Sequence, residues 1–471
     1  MGLVTFAKRQ FKLEEHNTNA RIELLAGITT FISMAYILIL NPQILSDPFA
    51  VMGDAVLTKK VFNGVFIGTC LGAFIGTILV ALYAKLPFAQ APGMGLNAFF
   101  AYTVILGMGY SYGQALAIVF ISGLLFVIIT AVGLREAIIR AIPRAVKTAI
   151  TPGIGLFITI IGLKNAGIVV GNSATLVSMV DFAQWRDPGA DVTVIKGAMV
   201  ALIGLIVMAV LHIRKVKGDI LLGIFAGTLA GIPLGVTNLS GFSMDIGTKF
   251  ADFAEVSLFK LDFVGLLKGE SLLNSIFTVS MVTISFSLVN MFDSLGTLLG
   301  AARQADMIDE HGEVPNLKKA LMSDAISTAT GALVGTSTVT TMVESSTGIA
   351  AGGRTGLTSL TTAMLFLASL LLAPVVGIIP IEATAPALIF VGVLMLGNIR
   401  DVDFGDMSEA LPAFCTIVFM PFTYSIANGV AMGLITYCLI NLLCGRAKNV
   451  SPLAGVVAMI FVLRYTLITL G

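Results

Sequence analysis

The feature that most limits what this chain can fold into is a succession of apolar stretches. Each is near the ~20 residues needed to span hydrocarbon. They fall at about 22–42, 61–84, 113–133, 146–165, 193–213 and 218–234. After a polar stretch at 235–268 they resume at about 270–300, 317–335, 354–376, 383–398, 411–426 and 427–444. Hydrophobic residues make up 56% of the 471 residues and charged ones 12%, against roughly 45–50% and 25% in soluble domains. A soluble core has no use for this much apolar sequence. The expected class is an all-α polytopic membrane protein.

Two shorter segments interrupt the list: LPFAQAPGMGLNAFFAYTVIL (86–106) and GTSTVTTMVESSTGIAAGG (335–353). Each holds a short extended piece, then Gly or Pro, then residues that can start a half-helix. Counting both gives fourteen segments. The apolar tail 452–468 carries Arg464 and is expected to lie at the interface. Basic residues follow the positive-inside rule with an internal N-terminus (Lys8, Arg9, Lys12, Arg21). Lys85, Arg135, Arg140, Arg144, Lys147, Arg214, Lys215, Lys217, Arg303, Lys318, Lys319, Arg354, Arg400, Arg446 and Lys448 all fall on one side. Loops with Asp47, Asp54, Asp181, Asp187 and Asp191 fall on the other. Both termini are therefore expected inside. Each broken segment is third in a run of seven, so the second run lies inverted relative to the first. Paired discontinuous segments in inverted repeats mark the solute site of many secondary transporters.

Other function classes find little support. Net charge is +1, which gives no field for nucleic acid. Cys70, Cys415, Cys438 and Cys444 have no metal spacing and read as small core hydrophobes. His16, His212 and His311 lie in polar flanks or at segment ends, so no metal or haem cofactor is expected. The N-terminus has no apolar core of a signal peptide. Of the 49 glycines, those in GTCLGAFIGT (68–77) suit close helix packing.

Ionisable groups inside apolar segments are expensive and are candidates for function. Glu344, in the second broken segment, offers two acceptor oxygens to a solute with N–H donors; the alternative is a structural cap on the half-helix that follows. Asp293, mid-way along the eighth segment, could give a second contact or carry a proton, or simply hydrogen-bond a neighbouring helix. Thr297 lies one turn later on the same face. Asp324 in the ninth segment either bridges to the broken helix or shares the proton. Asn97 either binds solute or ties two half-helices together. Ala91 and Thr341, in the broken segments, complete the candidate solute contacts. Phe88, Phe99 and Phe100 could stack on a planar ring or pack in the core.

These residues together resemble the AzgA-like purine permeases, a branch of the nucleobase–ascorbate (nucleobase–cation symporter-2) superfamily. The similarity runs from RIELLAGITTFISMAYILILNP (21–42) and APGMGLNAFFAYTVILGMG (91–109) to FDSLGTLLGAARQADMID (292–309). It continues through the stretch at 321–360 and FGDMSEALPAFCTIVFMPFTYSIANGVAMG (404–433). The resemblance implies a UraA-like fold of two inverted seven-span repeats, not an enzyme. It implies a core domain (1–134 and 269–376), a gate domain (135–234 and 377–471), an extramembrane linker (235–268) and a homodimer through the gate. It further implies import of adenine, guanine or hypoxanthine across the cell membrane, coupled to H⁺ rather than Na⁺. The family's four polar site positions match Asn97, Asp293, Asp324 and Glu344. An anion carrier on the same fold would rely on basic residues, which the candidate site lacks.

Overall fold

The computed structural model describes residues 10–134, 141–186, 192–239, 245–268, 272–304, 307 and 316–468. Arg135, Arg140, Asp187, Asp191 and His311 lie outside the described residues, as do Lys8 and Arg9. Among the described residues, nine helices are long and apolar enough to cross a membrane. They are Ala20–Val51, Ala55–Ala84, Tyr112–Val132, Arg144–Asn165, Thr193–Ile213, Ser275–Leu298, Gly356–Val376, Ile381–Asp401 and Ile426–Leu443. Shorter apolar helices supply the third (Met94–Gly107), seventh (Asp219–Leu234) and thirteenth (Met407–Phe422) positions. Leu317–Leu333 is the ninth, and Val339–Thr341 with Ser345–Ala350 forms the tenth. The expected fourteen segments are thus accounted for, and the tail is a separate helix, Pro452–Ile468.

Several helix starts carry side-chain caps that satisfy first-turn N–H groups. Asn19 accepts from Ile22 N, Asp54 from Leu57 N, Thr355 from Leu357 N, and Asp406 from Ser408 N. The eleventh segment has a second anchor, Glu23, fully buried in the first. Its carboxylate accepts from Arg354 N (2.9 Å), Thr355 N (3.2 Å) and Thr358 N (3.2 Å), and from the hydroxyls of Thr355 (2.9 Å) and Thr358 (2.6 Å).

The extended pieces of the two broken segments meet. Gln90–Pro92 pairs antiparallel with Val339–Thr341, in the register Gln90 to Thr341, Ala91 to Thr340 and Pro92 to Val339. The sequence favours this locally: Ala91 precedes a proline, which disfavours helix, and Val339, Thr340 and Thr341 are β-branched. Both strands are buried. They seat against the glycine face of the second span. A Cβ on Gly76 would lie 2.9 Å from Val339 Cγ1, and one on Gly72 3.1 Å from both Thr336 Cγ2 and Val339 Cγ2. A Cβ on Gly68 would meet the Val334 carbonyl oxygen at 2.5 Å. The small residues of GTCLGAFIGT therefore make room for another segment's backbone.

The polar stretch after the seventh segment is folded. A helix at Ile246–Asp252 continues as a wider π-helical turn, Phe253–Ser257. Asn63 donates to Asp252 at 2.7 Å, Lys60 pairs with Glu255 at 2.6 Å, and Phe259 N donates to the Leu333 carbonyl at 2.8 Å. The linker is thereby docked on the second span and on the end of the ninth.

The chain divides into two compact units. One comprises Met1–Ile128 with Leu163–Ala387 and holds the strand pair and every candidate site residue. The other comprises Ile129–Gly162 with Leu388–Gly471. Its core gathers Ala145, Ala149, Val402, Ala413, Ile417 and Tyr437, with Gly155 close against the Gly392 carbonyl.

Close backbone approach makes a testable demand at Gly123, where a Cβ would lie 2.6 Å from Ala329 N and 2.8 Å from Ala329 Cα. Gly123→Ala is expected to cost about 1–3 kcal/mol by overpacking and to lower the melting temperature of the purified protein in detergent. Gly171→Ala, where nothing lies within 4 Å, is expected to leave it unchanged.

Candidate functional site

Glu344 follows the strand Val339–Thr341 and occupies the position before the short helix Ser345–Ala350. Its side chain makes no capping bond to that helix. The first-turn N–H groups bond backwards instead: Ser345 N to Met342 O at 3.2 Å, and Ser346 N to Val343 O at 3.0 Å. The capping alternative is therefore not what the carboxylate does. It turns to the first span, where the Tyr36 hydroxyl donates to Oε1 at 2.6 Å. The second oxygen, Oε2, is buried and has no hydrogen-bond partner among the described residues. Tyr36 lies at the junction Ala35–Tyr36 of the first span, between the helices Ala20–Met34 and Ile37–Val51.

Asp293 is half-buried on the long eighth helix, Leu272–Gln304, with Thr297 half-buried one turn on. Its Oδ2 would lie 3.8 Å from a Cβ on Gly93. Gly93 is the residue before the helix Met94–Ala98, whose start has no side-chain cap. A methyl there would also press on Thr340 Cγ2 at 2.7 Å, so glycine is what lets the strand pair and the eighth helix converge. Neither Asp293 nor Glu344 has an ion pair with Lys or Arg among the described residues.

Asp324 is fully buried and thoroughly bonded. Oδ1 accepts from Thr341 N (2.8 Å), Thr341 Oγ1 (3.2 Å) and Gln90 Nε2 (3.4 Å), and Oδ2 accepts from the Ser294 hydroxyl. One carboxylate thus joins the ninth segment to both strands and to the residue beside Asp293. Thr341 spends its N–H and hydroxyl on that bridge. Asn97, also fully buried, donates to Asn41 Oδ1 at 2.7 Å and accepts from the Ser337 hydroxyl. Asn41 in turn donates to Thr69 (2.7 Å) and Thr336 (2.8 Å). Ala91 is buried in the strand pair opposite Thr340.

The candidate residues therefore separate into two groups. Asp293 lies beside Gly93, where the first strand gives way to its half-helix, and Glu344 stands where the second strand gives way to its own. Asn97, Thr341 and Asp324 lie in the bonded network that holds those strands. The three phenylalanines are core: Phe99 packs on Phe286 with centroids 4.7 Å apart, Phe100 on Tyr112 at 5.6 Å, and Phe88 among Leu86, Leu298 and Ile349. Sequence reasoning missed Tyr36, Asn41, Gln90, Ser294 and Glu23. Asn41, a polar residue before Pro42 in an apolar run, carried a usable signal; Tyr36 carried none, since tyrosine is ordinary in such a run. Among the described residues no group of three or more His, Cys, Asp and Glu could hold a metal ion.

Residues 21–432 match the model of a permease family (Xan_ur_permease). The adenine permease AdeP of Escherichia coli is 39% identical over 98% of this chain and 96% of its own length. The guanine/hypoxanthine permease PbuO of Bacillus subtilis is 38% identical over 96% of this chain and 98% of its own. Among solved structures, the transmembrane domain of the cyanobacterial bicarbonate transporter BicA aligns with a TM-score of 0.60. It is 17% identical and covers 88% of this chain and 97% of that one. That likeness speaks to fold alone, and the fold is the UraA-like arrangement of two inverted seven-segment repeats, with extended pieces in the third and tenth segments.

The contrast between the two buried acids can be measured. Asp324→Ala strands the Thr341 N–H and the Ser294 hydroxyl, at about 1–3 kcal/mol for each buried donor left unpaired. It should lower the melting temperature sharply. Glu344→Gln keeps an acceptor for Tyr36 and should melt close to wild type. Equal melting of the two variants would contradict the separation into a fully bonded acid and one with an open oxygen.

Proposed function

From the premise that this chain belongs to the nucleobase permease family, as the family match and its relatives show, we propose that it imports purine bases by proton symport. Adenine, guanine and hypoxanthine are the candidate solutes, because the relatives named above carry those bases in their names. The observation that carries the reading is the half-used carboxylate of Glu344. Tyr36 holds Oε1, while Oε2 is buried without a donor. A purine is planar, largely neutral and rich in N–H donors along one edge, so it can supply that donor while its faces rest on apolar surroundings.

In the proposal Glu344 accepts from the purine N–H, and Asp293 gives a second contact or carries the coupling proton. Gly93 adjoins Asp293, so the uncapped first turn at Met94–Leu96 offers backbone N–H groups to ring acceptors. Thr297 and Ala91 complete the lining. Asp324, Thr341 and Asn97 support it by holding the strands; whether Asp324 shares the proton belongs to the same proposal, since neighbouring acids titrate as a set. Transport follows from movement of the core residues (1–134 and 269–376) against the gate residues (135–234 and 377–471), the gate also forming a homodimer. The protein is a multi-pass membrane protein, and the proposed setting is the cell's inner membrane with both termini in the cytoplasm.

The test is counterflow of radiolabelled purine in proteoliposomes, competed by adenine, guanine, hypoxanthine, xanthine and uracil. Exchange blocked by one or more of the first three and not by uracil is expected. Glu344→Ala should weaken purine binding at least tenfold, the size of one hydrogen bond to a charged acceptor (about 1.5–3 kcal/mol). Unchanged affinity in folded Glu344→Ala would remove the binding role.

Coupling is tested separately. Acidifying the outside should drive concentrative uptake, and a protonophore should abolish it. Uptake indifferent to the pH gradient but dependent on Na⁺ would remove the proton.

A further inference from the structure

The first span has an unusual break. Its halves, Ala20–Met34 and Ile37–Val51, are separated by Ala35–Tyr36, with neither glycine nor proline at the junction. Leu38 N bonds to Ala35 O at 3.2 Å and Ile39 N to Tyr36 O at 3.1 Å. These are steps of three residues, and the helical step of four resumes at once with Leu40 N to Tyr36 O at 3.0 Å. Tyr36, at this junction, is a large side chain and only 1% exposed.

Behind this break the first span is fastened to the tenth half-helix along one seam. Thr347 donates to Ser33 at 3.0 Å. Gly348 backs onto the Thr30 hydroxyl and the Ala26 carbonyl, the latter 2.6 Å from where its Cβ would be. Tyr36 stands at the end of the seam, at Glu344. A glutamate has rotamer freedom to lose when it binds a ligand, and a donor that holds it beforehand removes part of that cost. A phenol is suited to this role. It is neutral, so it leaves the carboxylate's charge for the solute, and it ties up one oxygen only.

We propose that Tyr36 is a positioning residue for Glu344. Its hydroxyl holds Oε1 so that Oε2 is presented, pre-oriented, to a ligand N–H. This rests on the reading of Glu344 as the purine acceptor and adds to it a residue outside the four polar positions of the family resemblance.

The experiment is a double-mutant cycle on the purified full-length protein in detergent, with adenine and guanine titrated calorimetrically. The variants are Tyr36→Phe, Glu344→Gln, the pair together, and Ser33→Ala as a seam control that does not touch the carboxylate. Tyr36→Met is made alongside, and whichever Tyr36 variant elutes as folded protein is read. Loss of the hydroxyl is expected to weaken binding roughly tenfold. In the Glu344→Gln background the same change should cost less than about twofold, because the oriented charge is gone. Ser33→Ala should stay within about twofold of wild type. Equal losses in both backgrounds, or no loss in Tyr36→Phe, would overturn the proposal. Where Glu344→Gln binds too weakly to titrate, the comparison of Tyr36→Phe with Ser33→Ala decides, and equal losses overturn it. A wild-type protein that binds neither purine would remove the solute reading and this proposal together. Binding with an additive cycle would remove only the role of Tyr36.

Discussion

Extended backbone at membrane depth cannot leave its N–H and C=O groups open, because no water is there to receive them. Two interrupted segments solve this problem for each other. Gln90–Pro92 and Val339–Thr341 lie antiparallel, and the proline, which has no N–H to satisfy, sits in one of the strands. Much else follows from that pairing. The second span carries Gly68, Gly72 and Gly76 on the face the tenth segment approaches. Asp324 and Gln90 close the strand ends with side-chain bonds. Gly93 leaves the first strand at a point where any side chain would collide with Thr340.

The strand pair also explains why acids collect here. A strand that ends inside the protein must hand over to a helix, and each handover exposes polar backbone that a nearby carboxylate can use. Asp324 is consumed in this way, with donors from the third, eighth and tenth segments. Glu344 is not: its half-helix satisfies its own first turn, and the carboxylate is left to Tyr36. Asp293 stands beside the handover of the third segment. Asp324 and Glu344 are therefore held by hydroxyl, amide and backbone donors, and among the described residues neither Asp293 nor Glu344 has an ion pair with Lys or Arg. In the reading proposed above, such a site suits a neutral solute with N–H groups better than an anion.

The segment count and the two breaks were legible because hydropathy and Gly/Pro content are local properties. Sequence reasoning places Asp293 beside the second broken segment; the contact found is with Gly93, in the first. The role of Asp324 stayed open between bridging to the broken helix and sharing the proton, and that of Asn97 between binding solute and tying the half-helices together, for a physical reason. Acids and amides in apolar sequence look alike until their partners are known, and here the partners are residues such as Ser294, Ser337 and Asn41, dozens to hundreds of positions away. The linker at 235–268 read as polar and extramembrane, but nothing local showed that Asp252 would lie against Asn63. The phenylalanines of the third segment offered either stacking or packing, and their partners Phe286 and Tyr112 settled on packing.

What the sequence determined by itself was a membrane chain of fourteen segments, two of them broken, with carboxylates placed at or near the second break. Chain length against bilayer thickness and the restricted backbones of Pro, Gly and β-branched residues suffice for that. The tertiary structure decided which carboxylate is spent on structure and which keeps an open oxygen. It also brought in Tyr36, at a helix break that no glycine or proline announces. Those outcomes depend on which donors stand within about 3 Å of each oxygen, and only packing between distant segments sets that distance.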